Sequence, residues 1–193
     1  MKKITFFFVI LFVFFSCNKR YVQLPQVSGT NLLKEIQDYS MVYIFFDEAT
    51  QTAELNKNNL ITSTHWVFNV DKRLSLAQAG AKIVALQKKK DAPNIHKNPN
   101  SRNFFSVADM TEKKLRFLEF TKTQFSFVSE GNQLPENVLN TDELKHFSNQ
   151  VKNDKNSIPK IISVEGSVSF QDFILFLQKI QEEGVFFEKI IIN

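Results

Sequence analysis

Residues 65–90 read HWVFNVDKRLSLAQAGAKIVALQKKK, and this stretch sets the expectation for the fold. Residues 65–70 are an apolar run of strand length that ends at the carboxylate of Asp71. After a short turn, Ser75 stands where a helix N-cap is expected, and Gln78 three residues later completes a capping-box pattern. Leu76, Ala79, Ile83 and Leu86 then recur at spacings that place them on one helical face. Lys88, Lys89 and Lys90 end the run, where cations suit the helix dipole. The stretch predicts strand, turn and helix.

The same order of residue types returns 94 residues later. IISVEGSVSF at 161–170 aligns with VFNVDKRLSL at 67–76, setting Val164 on Val70, Glu165 on Asp71, Val168 on Leu74 and Ser169 on Ser75. The helix face keeps step as Phe170, Phe173, Leu177 and Ile180, Asp172 follows the second serine, and Gly184 marks a stop before a last strand. Two strand–turn–helix units, 65–90 and 159–184, are either a duplication or two independent uses of one pattern. In both cases the expected fold is α/β (α+β), a mixed sheet with the two helices packed on it in right-handed crossovers.

Working outward, MVYIFFDEATQTAEL at 41–55 reads as a strand, a polar turn and a second strand, with 42–46 apolar throughout as for a strand buried on both faces. Residues 91–103 are rich in Asn and Pro and read as a loop. Alternation at Leu115 and Phe117, then at Phe125 and Phe127, suggests one or two strands near a sheet edge. TDELKHFS at 141–148 is a short helical candidate. Phe176 and Leu175 lie off the apolar stripe of the last helix, so that helix is either central in its own fold or packs on a partner.

The chain opens with Lys2 and Lys3, an apolar run over 4–15, and then Ser16, Cys17 and Asn18. Twelve helical residues rise about 18 Å, short of the roughly 20 residues needed to span a hydrocarbon core of about 30 Å. The charged start, apolar middle and small-residue junction are those of an export signal. With Phe14-Phe15-Ser16-Cys17 at its end, the segment resembles the signal of a bacterial lipoprotein. Ser16 fits that pattern and Phe14 departs from the usual leucine. The resemblance implies removal of residues 1–16, acylation of Cys17 and a membrane-lipid partner through those chains. The alternative is a buried, inert cysteine behind an ordinary cleaved signal. Asn18 after the cysteine resembles the outer-membrane sorting class. Residues 17–40, with Pro25 and Gly29, read as a lipidated tether, with a short helix over 30–40, and 41–193 as the α/β domain.

Loss of the signal removes Lys2 and Lys3 from the 24 basic residues that face 20 acidic ones, so the remaining charge gives no footprint for nucleic acid. Cys17 is the sole cysteine, so a lipidated chain has no thiol for a disulfide and depends on packing. Six of the 21 phenylalanines lie in the signal, and the others are expected in the core.

Asp71 and Glu165 end equivalent strands, where open α/β sheets place ligand-contacting groups. Brought together, they would share a proton or bind a cation. Kept apart, each stabilises the start of its own helix. His65 beside Trp66 is a further ligand candidate or a packed residue, and His96 and His146 fall in segments expected to be exposed. The spacing of His and Cys fits no metal site, the five glycines form no nucleophile elbow or phosphate loop, and no cofactor is expected.

Residues 161–193 resemble the periplasmic domain of the ExbD and TolR family, with Glu165, Gly184 and Ile190 to Ile192 at the matching places, and residues 42–56 are similar to that family's opening hairpin. The resemblance implies fold. It does not imply motor activity, because the family's membrane helix carries an aspartate and residues 4–17 hold no acid. The expectation is a non-enzymatic envelope lipoprotein that binds another envelope protein. The alternative is an envelope hydrolase or small-ligand or cation binder using Asp71, Glu165 and His65.

Overall fold

The structure is a computed structural model that describes residues 20–29, 32–58, 60–93, 98–128, 138–153 and 158–193. Its strands are β1 (Gln26–Val27), β2 (Tyr39–Asp47), β3 (Thr52–Asn56), β4 (His65–Val70), β5 (Asn103–Asp109), β6 (Lys114–Glu119), β7 (Gln124–Phe127), β8 (Val138–Leu139), β9 (Ile161–Val164) and β10 (Lys189–Ile192). The helices are α1 (Leu76–Asp91), α2 (Thr141–Asn153) and α3 (Phe170–Glu182). The α+β class is as the sequence predicts, and the strands divide between a six-stranded and a four-stranded sheet.

Both sheets are built on one plan. In the first, β2, β4 and β5 lie parallel in that order, with β3 antiparallel on β2 and β6 antiparallel on β5. In the second, β8, β9 and β10 lie parallel in that order, with β7 parallel on the outer side of β10. Helix α1 connects β4 to β5, and α3 connects β9 to β10. The turns agree bond for bond. Asp71 N donates to Ile44 O at 2.9 Å and Glu165 N to Leu139 O at 2.9 Å, while Leu74 N reaches Asp71 O and Val168 N reaches Glu165 O.

The units meet at their helix starts. Ser75 and Ser169 form an antiparallel bridge in which Leu76 N donates to Val168 O at 2.7 Å and Phe170 N to Leu74 O at 2.8 Å. Reciprocal bonds between equivalent residues define a local two-fold axis. The sequence match is thus a structural equivalence. Each serine also caps its helix: Ser75 Oγ accepts from Gln78 N and Gln78 Oε1 from Ser75 N, while Ser169 Oγ accepts from Asp172 N.

The larger of two apolar clusters lies between the sheets. Phe105 of β5 stacks on Phe120 with ring centroids 3.9 Å apart and meets Phe170 of α3 edge-on, while Phe125 of β7 meets Phe173 of α3. Full burial of such a ring contributes about 1.5–3 kcal/mol. The polar Gln87 of α1 is 4 % exposed, and its amide takes a place in the β7 ladder, donating to Thr123 O and accepting from Phe125 N. The second apolar face of α3 is covered within the chain, with Phe176 stacked on Phe187 and edge-on to Phe147 of α2. That helix is central to its own fold, so its greasiness is no sign of a partner.

Several expectations are corrected. From residue 20 the segment read as a tether is part of the domain: Val27 is buried and β1 runs parallel to β5. Residues 32–40 form no helix, and Leu33 instead exchanges backbone bonds with Phe117 at 3.0 Å each. Helical spacing in 30–40 loses there to an extended path that covers Phe117 and Phe104 with Ile36. Within the apolar run 42–46 of β2 only Val42 and Ile44 are buried, because the other face of the strand is half open. Residues 103–128 hold three strands where one or two were expected: β6 and β7 are edge strands as their alternation predicts, and β5 lies inside the first sheet.

Candidate functional site

Three parallel strands of the first sheet end in aspartate: Asp47 on β2, Asp71 after β4 and Asp109 on β5. Backbone amides satisfy each carboxylate in a tight turn. Asp47 Oδ1 accepts from Ala49 N at 2.8 Å and Thr50 N at 3.2 Å, Asp71 Oδ1 from Arg73 N at 3.0 Å, and Asp109 Oδ1 from Thr111 N at 2.8 Å. These are Asx turns, in which a short carboxylate replaces a backbone acceptor. The Thr50 and Ala49 amides hold the Asp47 carboxyl below the usual carboxylate range.

Asp71 is the most enclosed of the three, with its side chain fully buried. Arg73 grips it with Nε on Oδ1 at 3.0 Å and Nη2 on Oδ2 at 2.9 Å, and reaches Glu48 with Nη1 at 2.7 Å. Asp71 first, and then Glu48, hold the Arg73 guanidinium well above its ordinary pKa. The guanidinium also lies 4.8 Å from the centroid of the Phe46 ring. Oδ2 accepts a further bond from Gln23 N at 3.2 Å, and Lys72 N donates back to Gln23 O at 2.8 Å. The crevice beyond the carboxyl end of β4 is therefore filled by the chain's own residue 23.

Strand alternation explains how that segment fits. Even-numbered residues of β5 face β4, as Trp66 N bonding to Arg102 O shows, and Ala108 N and Met110 N bond to Pro25 O and Val27 O. Asn103 O instead serves Phe120 N, toward β6. So β1 occupies the same edge of β5 as β4, just past the point where β4 turns away. A cavity of about 580 Å³ remains beside it, lined by Arg20, Tyr21, Phe45, Phe46, Glu48 and Arg73 among others.

Glu165 occupies the place of Asp71 in the other unit but is exposed, and its carboxylate has no hydrogen bond or ion pair among the described residues. Position 167, equivalent to Arg73, is serine, and position 166, equivalent to Lys72, is glycine, so the second unit lacks the gripping cation. Gly166 N donates to Asn193 O at 2.8 Å, closing that strand end with backbone as Gln23 closes the first. Asp71 and Glu165 lie on opposite sides of the local axis, and no hydrogen bond or ion pair joins them.

His65 begins β4, six residues and about 20 Å from Asp71 at strand rise. Its Nδ1 accepts from Arg102 N at 2.9 Å and its ring is edge-on to Phe104, so it is a packed residue on the wall of a separate cavity of about 400 Å³. His146 is exposed on α2, beside a groove of about 780 Å³ that also touches Phe147, Ile161 and Ser163. His96 and Cys17 lie outside the described residues. Among the described residues no three His, Cys, Asp or Glu side chains are grouped to hold a metal, and no helix is long and apolar enough to cross a membrane.

Residues that the spacing analysis passed over organise this end of the sheet: Gln23, Arg73 and the flanking Asp47 and Asp109. One signal was present, since an apolar strand closing on aspartate occurs at 42–47, 66–71 and 103–109. Compared with known proteins, the chain matches no family, no curated protein and no solved structure.

Proposed function

We propose that the chain is a lipid-anchored, non-enzymatic binding or scaffolding domain of the bacterial cell envelope, held through acylated Cys17, with the outer membrane as its favoured location and another envelope protein as its partner. The observation that carries this reading is the state of Asp71. Its two oxygens accept four bonds, three from Arg73 and one from Gln23, leaving the best-placed carboxylate with an architectural task. The competing reading, a hydrolase or small-ligand or cation binder using Asp71 and Glu165, needs a free carboxylate and a second group beside it. The likeness of residues 161–193 to the ExbD and TolR domain belongs to this proposal as a likeness of fold.

The test follows the full chain in a producing bacterium fed a clickable fatty acid. The chain takes up the label and fractionates with the outer membrane, Cys17→Ser abolishes both, and in-cell crosslinking joins the acylated chain to the same envelope protein in repeated trials. A chain that is unlabelled, or that hydrolyses an envelope ester or peptide and loses that activity in Asp71→Asn, overturns the reading.

A further inference from the structure

Resting on that lipid anchor, we propose that the carboxyl end of the first sheet is a bilayer-contacting face, with the β2–β3 and β5–β6 turns set against the lipid headgroups. Covalent geometry limits the freedom of the anchor. Cys17 is three residues from Arg20, and three Cα–Cα steps of 3.8 Å span at most about 11 Å. Arg20 already reaches the domain, where it pairs with Glu54 on β3. The chain beyond it is clipped at Gln23 to Asp71 and Lys72, at Pro25 to Ala108 and at Val27 to Met110. A side-chain amide extends this hold, with Gln171 of α3 donating to Gln26 O and accepting from Gln26 N at 2.8 Å each. Even without the exposed Arg20 pair, six Cα–Cα steps of 3.8 Å, at most about 23 Å, separate Cys17 from the first backbone clip at Gln23, so the domain stays close to the membrane.

The chemistry of this end suits a headgroup layer. Tyr21, Met110 and Leu115 are 73 %, 48 % and 45 % exposed, and Lys113 and Lys114 are exposed between the last two. An amphipathic ring, short apolar contacts and lysines whose stems reach along an apolar surface are what an interface accepts. The acids there are balanced by cations: Arg20 pairs with Glu54, Arg73 with Asp71 and Glu48, and Arg116 with Glu112 and Asp109, while Lys72, Lys113 and Lys114 offset Asp47 and the second acid on each shared arginine. Anionic lipid therefore meets no uncompensated negative patch. The opposite end of the sheet, at the turn holding Lys122, lies about 20 Å away along β5.

The test uses the acylated full chain in vesicles of phosphatidylethanolamine and phosphatidylglycerol, with single cysteines at exposed positions 49, 111, 41 and 122 (Ala49→Cys, Thr111→Cys, Met41→Cys, Lys122→Cys) bearing an environment-sensitive dye. Headgroup nitroxides are expected to quench the dyes at 49 and 111 several-fold more than those at 41 and 122. Equal quenching at all four sites, or strongest quenching at 41 or 122, overturns the orientation. The parent chain separates the two proposals. If it takes up dye at Cys17, or fails to float with the vesicles, the anchor itself is refuted; if it floats unlabelled and the pattern is wrong, only the orientation is.

Discussion

Ser75 and Ser169 lie antiparallel across a local two-fold axis, each opening a helix while the backbone beside it bonds to the other unit. Loss of either cap by Ser75→Ala or Ser169→Ala is expected to cost about 1 kcal/mol. Because the two sites touch, the double variant should depart from the sum of the singles by at least about 0.5 kcal/mol. Urea denaturation of the four chains measures this, and strict additivity would refute energetic coupling across the axis.

Equivalent positions need not be equally important. Asp71→Asn weakens charge-assisted bonds to Arg73 in a buried turn and should destabilise by about 1.5–3 kcal/mol. Glu165→Gln, at an exposed and unpartnered carboxylate, should stay within about 0.5 kcal/mol. Thermal melts decide between this asymmetry and a shared role for the two acids, which would make the losses similar.

Two glycines resist alanine for different reasons. A Cβ on Gly166 would lie 2.7 Å from Asn193 O and 2.9 Å from Ala77 Cβ, so the close approach of the second unit's turn to α1 would open, at about 1–3 kcal/mol. Gly184 has φ of +77° with nothing within 4 Å, and alanine there meets only backbone strain of about 1–2 kcal/mol. Asparagine, which tolerates that region, should recover much of the loss at 184 and none at 166, as chemical denaturation would show.

Gln87→Leu leaves Thr123 O and Phe125 N without their buried partner, and about 1–3 kcal/mol attaches to each such group. Hydrogen exchange at the Phe125 amide should accelerate strongly while exchange at β4 changes little. Uniform acceleration across both sheets would contradict a local role for this amide.

Asp47 sets a pH dependence. Its folded pKa lies below the unfolded value of about 3.9, so its contribution is fully present above that pH and is lost as pH falls through the lower native value. In an acid titration followed by NMR, the Thr50 and Ala49 amides should shift with a midpoint below that of an ordinary aspartate. Asp47→Asn should abolish the titration, and a midpoint at the ordinary value would remove the claim.

The two units were legible because their signals are local: a serine, a glutamine three residues on, and apolar positions at helical spacing in one window. Strand β1 was not, since two residues carry no periodicity and its partner lies on β5. Asp71 stood out in the sequence by its place at a strand end, as a candidate to contact a ligand or to stabilise its own helix. Its partners were hidden for a physical reason, because Gln23 contributes only backbone and Arg73 could equally have faced water. The apolar excess of α3 showed that something covers a second face, and Phe147 and Phe187 fill that need from distant parts of the chain. The two units meet through the bridge at Ser75 and Ser169, a contact that no local pattern announces.

The pairing of Gln26 with Ala108 also fixes an order of events. Residues 26–27 have no strand to join until β5 has been made and placed, and closing a loop of about 80 residues carries an entropy cost of about 4 kcal/mol. The earliest-made residues of the domain therefore wait for the later ones. Arg20 and Gln23 meet partners made before β5, on Glu54, Asp71 and Lys72, but residues 25–27 become part of the sheet only once β5 exists.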